Sequence, residues 1–148
     1  FELLILRKTE GYEPPFEILD YTTLSEQRTG REFLAEATVK VRVDGEILHT
    51  AAEGHGPVNA LDTAMRKALG TFYPQLDSMR LTDYKVRILD GGEAATAART
   101  RVIIDSIDGD REWSTMGSGT DIISASAAAL ADSFEYAIWR QSETDQDD

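Results

Sequence analysis

Glu36-Ala37-Thr38-Val39-Lys40-Val41-Arg42-Val43-Asp44-Gly45-Glu46-Ile47-Leu48, running on to Gly54-His55-Gly56-Pro57-Val58-Asn59-Ala60-Leu61, is the stretch that decides the fold of this chain. Val39, Val41 and Val43 alternate with Thr38, Lys40 and Arg42, the period-two pattern of a half-buried strand. Asp44-Gly45 is a strong hairpin signal, because both residues tolerate positive φ, and it returns the chain along Ile47 to Ala52. Beyond Gly56 the period changes. Val58, Leu61, Met65, Ala68, Leu69 and Phe72 fall on one stripe of a helix. Pro57 suits the first helical turn, where its missing N–H costs nothing. Upstream, Phe16 to Glu26 supplies an earlier strand, so the unit reads β-β-β-α.

The same plan recurs downstream. Asp20-Tyr21 returns as Asp83-Tyr84, 63 residues on, and Gly54-His55-Gly56 as Gly117-Ser118-Gly119 at the same offset. Ala64 and Ala68 match Ala127 and Ala131, while Asp44-Gly45 matches Asp108-Gly109 one residue out of step. Shared spacing and order point to a duplication. Strands are expected at 81–89, 97–106 and 111–116, then a helix with Ile123, Ala127, Leu130, Phe134 and Ile138 inward. The fold class is therefore α+β: two β-β-β-α units, residues 16–79 and 80–141, related by a pseudo-twofold axis. One helix covers only part of a three-stranded sheet. Each unit must bury the rest of its apolar surface against the other unit or a second chain.

The ends read differently. The first methionine of the chain is Met65, and residues 1–15 read as the remnant of an upstream linker, stiffened at Pro14-Pro15. Residues 142–148 are acidic and read as a disordered tail. The net charge of −12 opposes binding to nucleic acid or an anionic membrane. With no cysteine, thiolate metal sites and disulfides are excluded, in keeping with a cytoplasmic protein.

Two segments are candidates for ligand binding. At Gly54-His55-Gly56 the glycines let a ligand approach the backbone, and the following helix offers N–H groups and its positive end to a carboxylate. The alternative is an ordinary strand-to-helix turn. At Asp90-Gly91-Gly92-Glu93-Ala94-Ala95-Thr96-Ala97-Ala98 the small residues leave room for an apolar side chain, or simply form a hairpin loop. Catalytic chemistry has little to use. His49 and His55 are the only histidines, without the helical spacing of a zinc hydrolase, and no Gly-x-Ser-x-Gly elbow occurs.

The run Pro15-Phe16-Glu17-Ile18-Leu19-Asp20-Tyr21, the turn Gly54-His55-Gly56-Pro57-Val58-Asn59-Ala60-Leu61, and Asp83-Tyr84-Lys85-Val86-Arg87-Ile88-Leu89-Asp90-Gly91 carry a resemblance. So does Ile122-Ile123-Ser124-Ala125-Ser126. They resemble the C-terminal regulatory domain of the citramalate synthase / 2-isopropylmalate synthase family, closest in wording to the citramalate synthases. The resemblance implies a dimeric, duplicated domain without catalytic residues, metal or cofactor of its own. It would follow a TIM barrel that uses a divalent metal to condense acetyl-CoA with a 2-oxo acid. It further implies binding of isoleucine or leucine for feedback inhibition; the alternatives are a ligand-free dimerisation module of the same enzyme, or a small stand-alone enzyme working through His49 or His55. The polar end of that effector would meet Gly54, His55, Gly56 and Asn59. Its side chain would meet Val58, Leu81, Tyr84, Ile88, Ala95, Ala97 and Ile122. Two positions depart from the pattern: His55 stands where many relatives have asparagine, and Asn59 where alanine or aspartate is common.

Overall fold

A computed structural model describes residues 2–26, 34–89 and 99–147. The first sheet is antiparallel, β1 (Glu17–Glu26), β2 (Leu34–Val43) and β3 (Glu46–Gly54) in that order, and is followed by α2 (Pro57–Leu69). A short 3-10 turn, Pro74–Ser78, leads into the second sheet. There β4 (Arg80–Leu89), β5 (Arg99–Asp108) and β6 (Arg111–Gly119) repeat the order, and α3 (Ile122–Asp147) follows. A first helix, α1 (Glu2–Arg7), precedes both units.

The duplication is visible in the irregularities. Leu19 is left unpaired in β1 between Ile18 and Asp20, and Thr82 is left unpaired in β4 between Leu81 and Asp83, 63 residues on. After those strands the offset becomes 65, as β3 at Glu46–Gly54 against β6 at Arg111–Gly119 shows. The connection spanning 90–98 is two residues longer than that spanning 27–33. This corrects the sequence pairing: Gly54 corresponds to Gly119, Gly56 to Asp121 and Ala64 to Ala129. Gly117-Ser118-Gly119 is the end of β6, not a second helix-entry turn. One bond appears twice at the corrected spacing. Thr50 Oγ1 donates to the carbonyl of Ala64 at 2.8 Å, and Thr115 Oγ1 to that of Ala129 at 2.9 Å.

The hairpins are built from turn chemistry. Asp44 (φ 50°) and Gly45 (φ 81°) sit between paired Val43 and Glu46, both left-handed as a type I′ turn requires. In the second unit Asp108 pairs with Arg111, so the central residues are Gly109 (φ 63°) and Asp110, rather than Asp108-Gly109. Positive φ at the first central residue alone is the type II′ form.

Val39, Val41 and Val43 of β2 are buried under Leu61, Met65 and Leu69 of α2; Val102 and Ile104 of β5 lie under Leu130 and Phe134 of α3. Each such side chain contributes about 1.5–3 kcal/mol when fully buried. The units share one core, with Leu76 and Met79 inside it. Arg66 of α2 links them: it donates to the carbonyls of Leu76 and Met79 (3.1 and 2.7 Å) and lies 5.3 Å from the centre of the Phe134 ring. The helices also approach the strands closely. The backbone of α3 at Ala125 and Ala129 occupies the space a Cβ on Gly117 would need.

Both ends differ from the sequence reading. Residues 2–12, expected as a linker remnant, fold onto α3: Leu3 is buried, and Arg7 pairs with Asp132 (2.6 Å) and with Glu135. The Tyr12 hydroxyl donates to Glu135 at 2.8 Å, and that of Tyr136 to Glu2 at 3.0 Å. Glu135 is only 5% exposed, and a carboxylate so placed needs these partners. At the other end α3 runs on to Asp147, through the segment expected to be disordered.

Candidate functional site

At the β3–α2 corner, Gly54 has no room for a side chain. A Cβ there would lie 2.5 Å from Asn59 Oδ1 and 2.6 Å from the Ala60 nitrogen. Its absence lets the first turn of α2 settle onto the strand. The His55 N–H donates to Asn59 Oδ1 at 3.2 Å, and the Ala60 N–H makes the first helical bond, to the Gly56 carbonyl, at 2.9 Å. Gly56 is the N-cap residue in extended backbone (φ −158°, ψ 170°), with no side chain capping the helix and open space around its α-carbon. The first-turn N–H groups of Val58 and Asn59 therefore have no partner within the helix. The positive end of α2 is uncapped.

The second unit closes the same position. Asp121, the counterpart of Gly56, accepts from the Ser124 N–H at 2.9 Å. The backbone hydrogen bond from Ser124 foremost holds its carboxyl below the usual carboxylate range. A carboxylate from the chain itself thus occupies the entry of α3, while the entry of α2 offers the same chemistry unfilled.

Four of the apolar candidates belong to the second unit. Register pairs Tyr84 with Ile104, Val86 with Val102 and Ile88 with Thr100, which sets this row on the helix side of the sheet. Because α3 lies over β5 and β6, the row is nevertheless 37%, 41% and 74% exposed in turn. Leu81 extends it at one end, and Ile122, also exposed, is the first residue of α3. The Tyr84 hydroxyl is tied to Ser126 Oγ at 2.8 Å. Val86 was missed by sequence reading, although its alternation with Tyr84 and Ile88 could have shown it. In the first unit the equivalent row, Ile18, Tyr21, Thr23 and Ser25, is more polar. Asp121 was missed for a different reason, since the faulty offset hid its correspondence to Gly56.

Gly54, His55, Gly56, Val58 and Asn59 thus form one cluster, on unit one, whereas Leu81, Tyr84 and Ile88 are spread along one face of β4 and Ile122 opens α3, on unit two. Ala95 and Ala97 lie outside the described residues. A cleft of about 460 Å³ between β1 and α3, floored by Ala127 and Ala131, contains none of these candidates. Neither does one of about 580 Å³ between α1, β6 and α3. Among the described residues no three His, Cys, Asp or Glu side chains gather as a metal site, and no helix is long and apolar enough to cross a membrane.

Paired β-β-β-α units, one helix entry self-capped and the other open, with an apolar row left uncovered on β4, define a duplicated α+β class of domain. The comparisons name it: the LeuA allosteric (dimerisation) domain family matches residues 1–138, and the chain belongs to that family. The (R)-citramalate synthase of Geobacter sulfurreducens is 46% identical over 144 residues, 97% of this chain but 27% of the relative. That of Synechocystis sp. is also 46% identical, over 93% of this chain and 26% of its own length. The 2-isopropylmalate synthase of Aquifex aeolicus is more distant, 32% identical over 95% of this chain and 28% of the relative. The chain thus spans about a quarter of the length of these relatives.

Proposed function

We propose that this domain senses a branched-chain amino acid, isoleucine or leucine, and feedback-inhibits a parent citramalate synthase or 2-isopropylmalate synthase in the cytoplasm. The parent would condense acetyl-CoA with a 2-oxo acid in a metal-dependent TIM barrel upstream of this chain. The observation that carries the reading is the contrast between helix entries: Asp121 fills that of α3, whereas Gly56-Pro57 leaves that of α2 open to a carboxylate. A branched tail suits the exposed row of Tyr84, Val86 and Ile88. The two groups lie on different units, so we assign the assembled pocket to a homodimer in which the partner subunit closes over the apolar row. Binding one dimer arrangement more tightly than another is sufficient for inhibition. Isoleucine is favoured, since the relatives of highest identity reported above are citramalate synthases.

A thermal melt with each amino acid tests this. Free ligand at 100 times its Kd adds about 2.7 kcal/mol to the stability of a binding-competent fold. Melting temperature should therefore rise with isoleucine or leucine and stay fixed with alanine. Equal response to all three, or to none, would contradict the reading.

A further inference from the structure

The outward face of the second sheet carries a charge pattern that neither the core nor the effector reading needs. Along β5, alternation buries Thr100, Val102, Ile104 and Ser106 and turns Arg99 and Arg101 outward. Register sets Arg87 directly opposite Arg101, with Lys85 one step along the same face of β4 and Ser118 on the far side of Arg101. Four of the chain's 15 basic residues thus share one end of one sheet face, in a protein of net charge −12.

Among the described residues these cations have few partners. Lys85 has Asp83 at 3.5 Å, but among the described residues no ion pair reaches Arg87, Arg99 or Arg101. Among the described residues the Nε of Arg101 is buried without a hydrogen-bond partner. Like charges directly across a strand pair, about 5 Å apart at Cβ, repel, and a buried donor left unpaired is costly. The duplicated framework does not impose this pattern: the first unit has Leu24, Leu34 and Glu36 where the second has Arg87, Arg99 and Arg101.

We propose that this face binds a small anion bearing a diphosphate group. Planar guanidinium forks grip phosphate oxygens two at a time, and the adjacent Arg87 and Arg101 present two forks. Arg99 and Lys85 add charge at the rim, and the Ser118 hydroxyl can donate. A single carboxylate would leave most of this positive charge unmatched. A long polyanion would meet the acidic remainder of the chain, so a compact multivalent anion fits best.

Calorimetry with inorganic pyrophosphate, orthophosphate and ADP tests the site. Pyrophosphate should saturate, orthophosphate should bind about tenfold more weakly, and Arg87→Gln and Arg101→Gln should each weaken pyrophosphate about tenfold. Arg42→Gln on the first sheet, whose partner is Glu17 at 3.1 Å, should leave binding unchanged. ADP binding more tightly than pyrophosphate would identify a nucleotide ligand, and equal affinity a free diphosphate. Thermal melts establish that each variant is folded. The proposal is overturned by absence of saturable pyrophosphate binding, or by affinity indifferent to both arginine substitutions. It is equally overturned if Arg101→Gln dissociates the dimer in sedimentation, since the face would then be occupied by a second copy.

Discussion

At the scale of single residues, Gly54 and Gly56 look alike in sequence and do different work. Gly54 is fixed by packing. Gly54→Ala would force its Cβ to within 2.6 Å of the Ala60 nitrogen, and urea denaturation should show a loss of about 1–3 kcal/mol. Gly56 has open space and extended backbone, so an aspartate fits and can cap α2 as Asp121 caps α3. Gly56→Asp should leave stability unchanged or raise it by a few tenths of a kcal/mol, about what an aspartate gains over a glycine cap. Asp121→Ala should cost about 1 kcal/mol through the lost cap. The pH sign follows from the depressed carboxyl: its contribution is complete above the ordinary carboxylate range and is lost as pH falls through its lower folded value. Asp121→Asn should therefore flatten the acid limb of the stability profile, measured by urea melts between about pH 2 and 6.

At the scale of elements, β2, β3 and α2 were legible because alternating valines, Asp44-Gly45 and the stripe from Val58 to Phe72 all agree. The duplication was legible too, but its register was not. A two-residue difference between the β-β connections shifts every later match, and Gly117-Ser118-Gly119 imitates Gly54-His55-Gly56 closely enough to conceal the shift. Helix α1 escaped because six residues carry little periodicity, and what holds it is distant in sequence: Arg7 and Tyr12 meeting the buried Glu135. Arg7→Ala should cost about 1–3 kcal/mol by removing a charged partner from that carboxylate. Hydrogen exchange should show α1 amides losing protection before those of β2.

At the scale of the whole molecule, the two sheets share a core through Arg66, Leu76, Met79 and Phe134, yet the row of Tyr84, Val86 and Ile88 remains uncovered. A charge placed there would disrupt the subunit contact proposed across that row. Val86→Asp should shift sedimentation at micromolar concentration from dimer toward monomer, while the wild type stays dimeric. The most direct test of the effector reading joins this scale to the first. Isoleucine is titrated calorimetrically into the wild-type dimer and into Gly56→Asp, with leucine as the second ligand. The account predicts saturable binding of one or both by the wild type and none by Gly56→Asp, because the new carboxylate repels the ligand's own and takes its place at the α2 entry. No heat with either amino acid in the wild type, or equal binding by wild type and a folded Gly56→Asp, would contradict it.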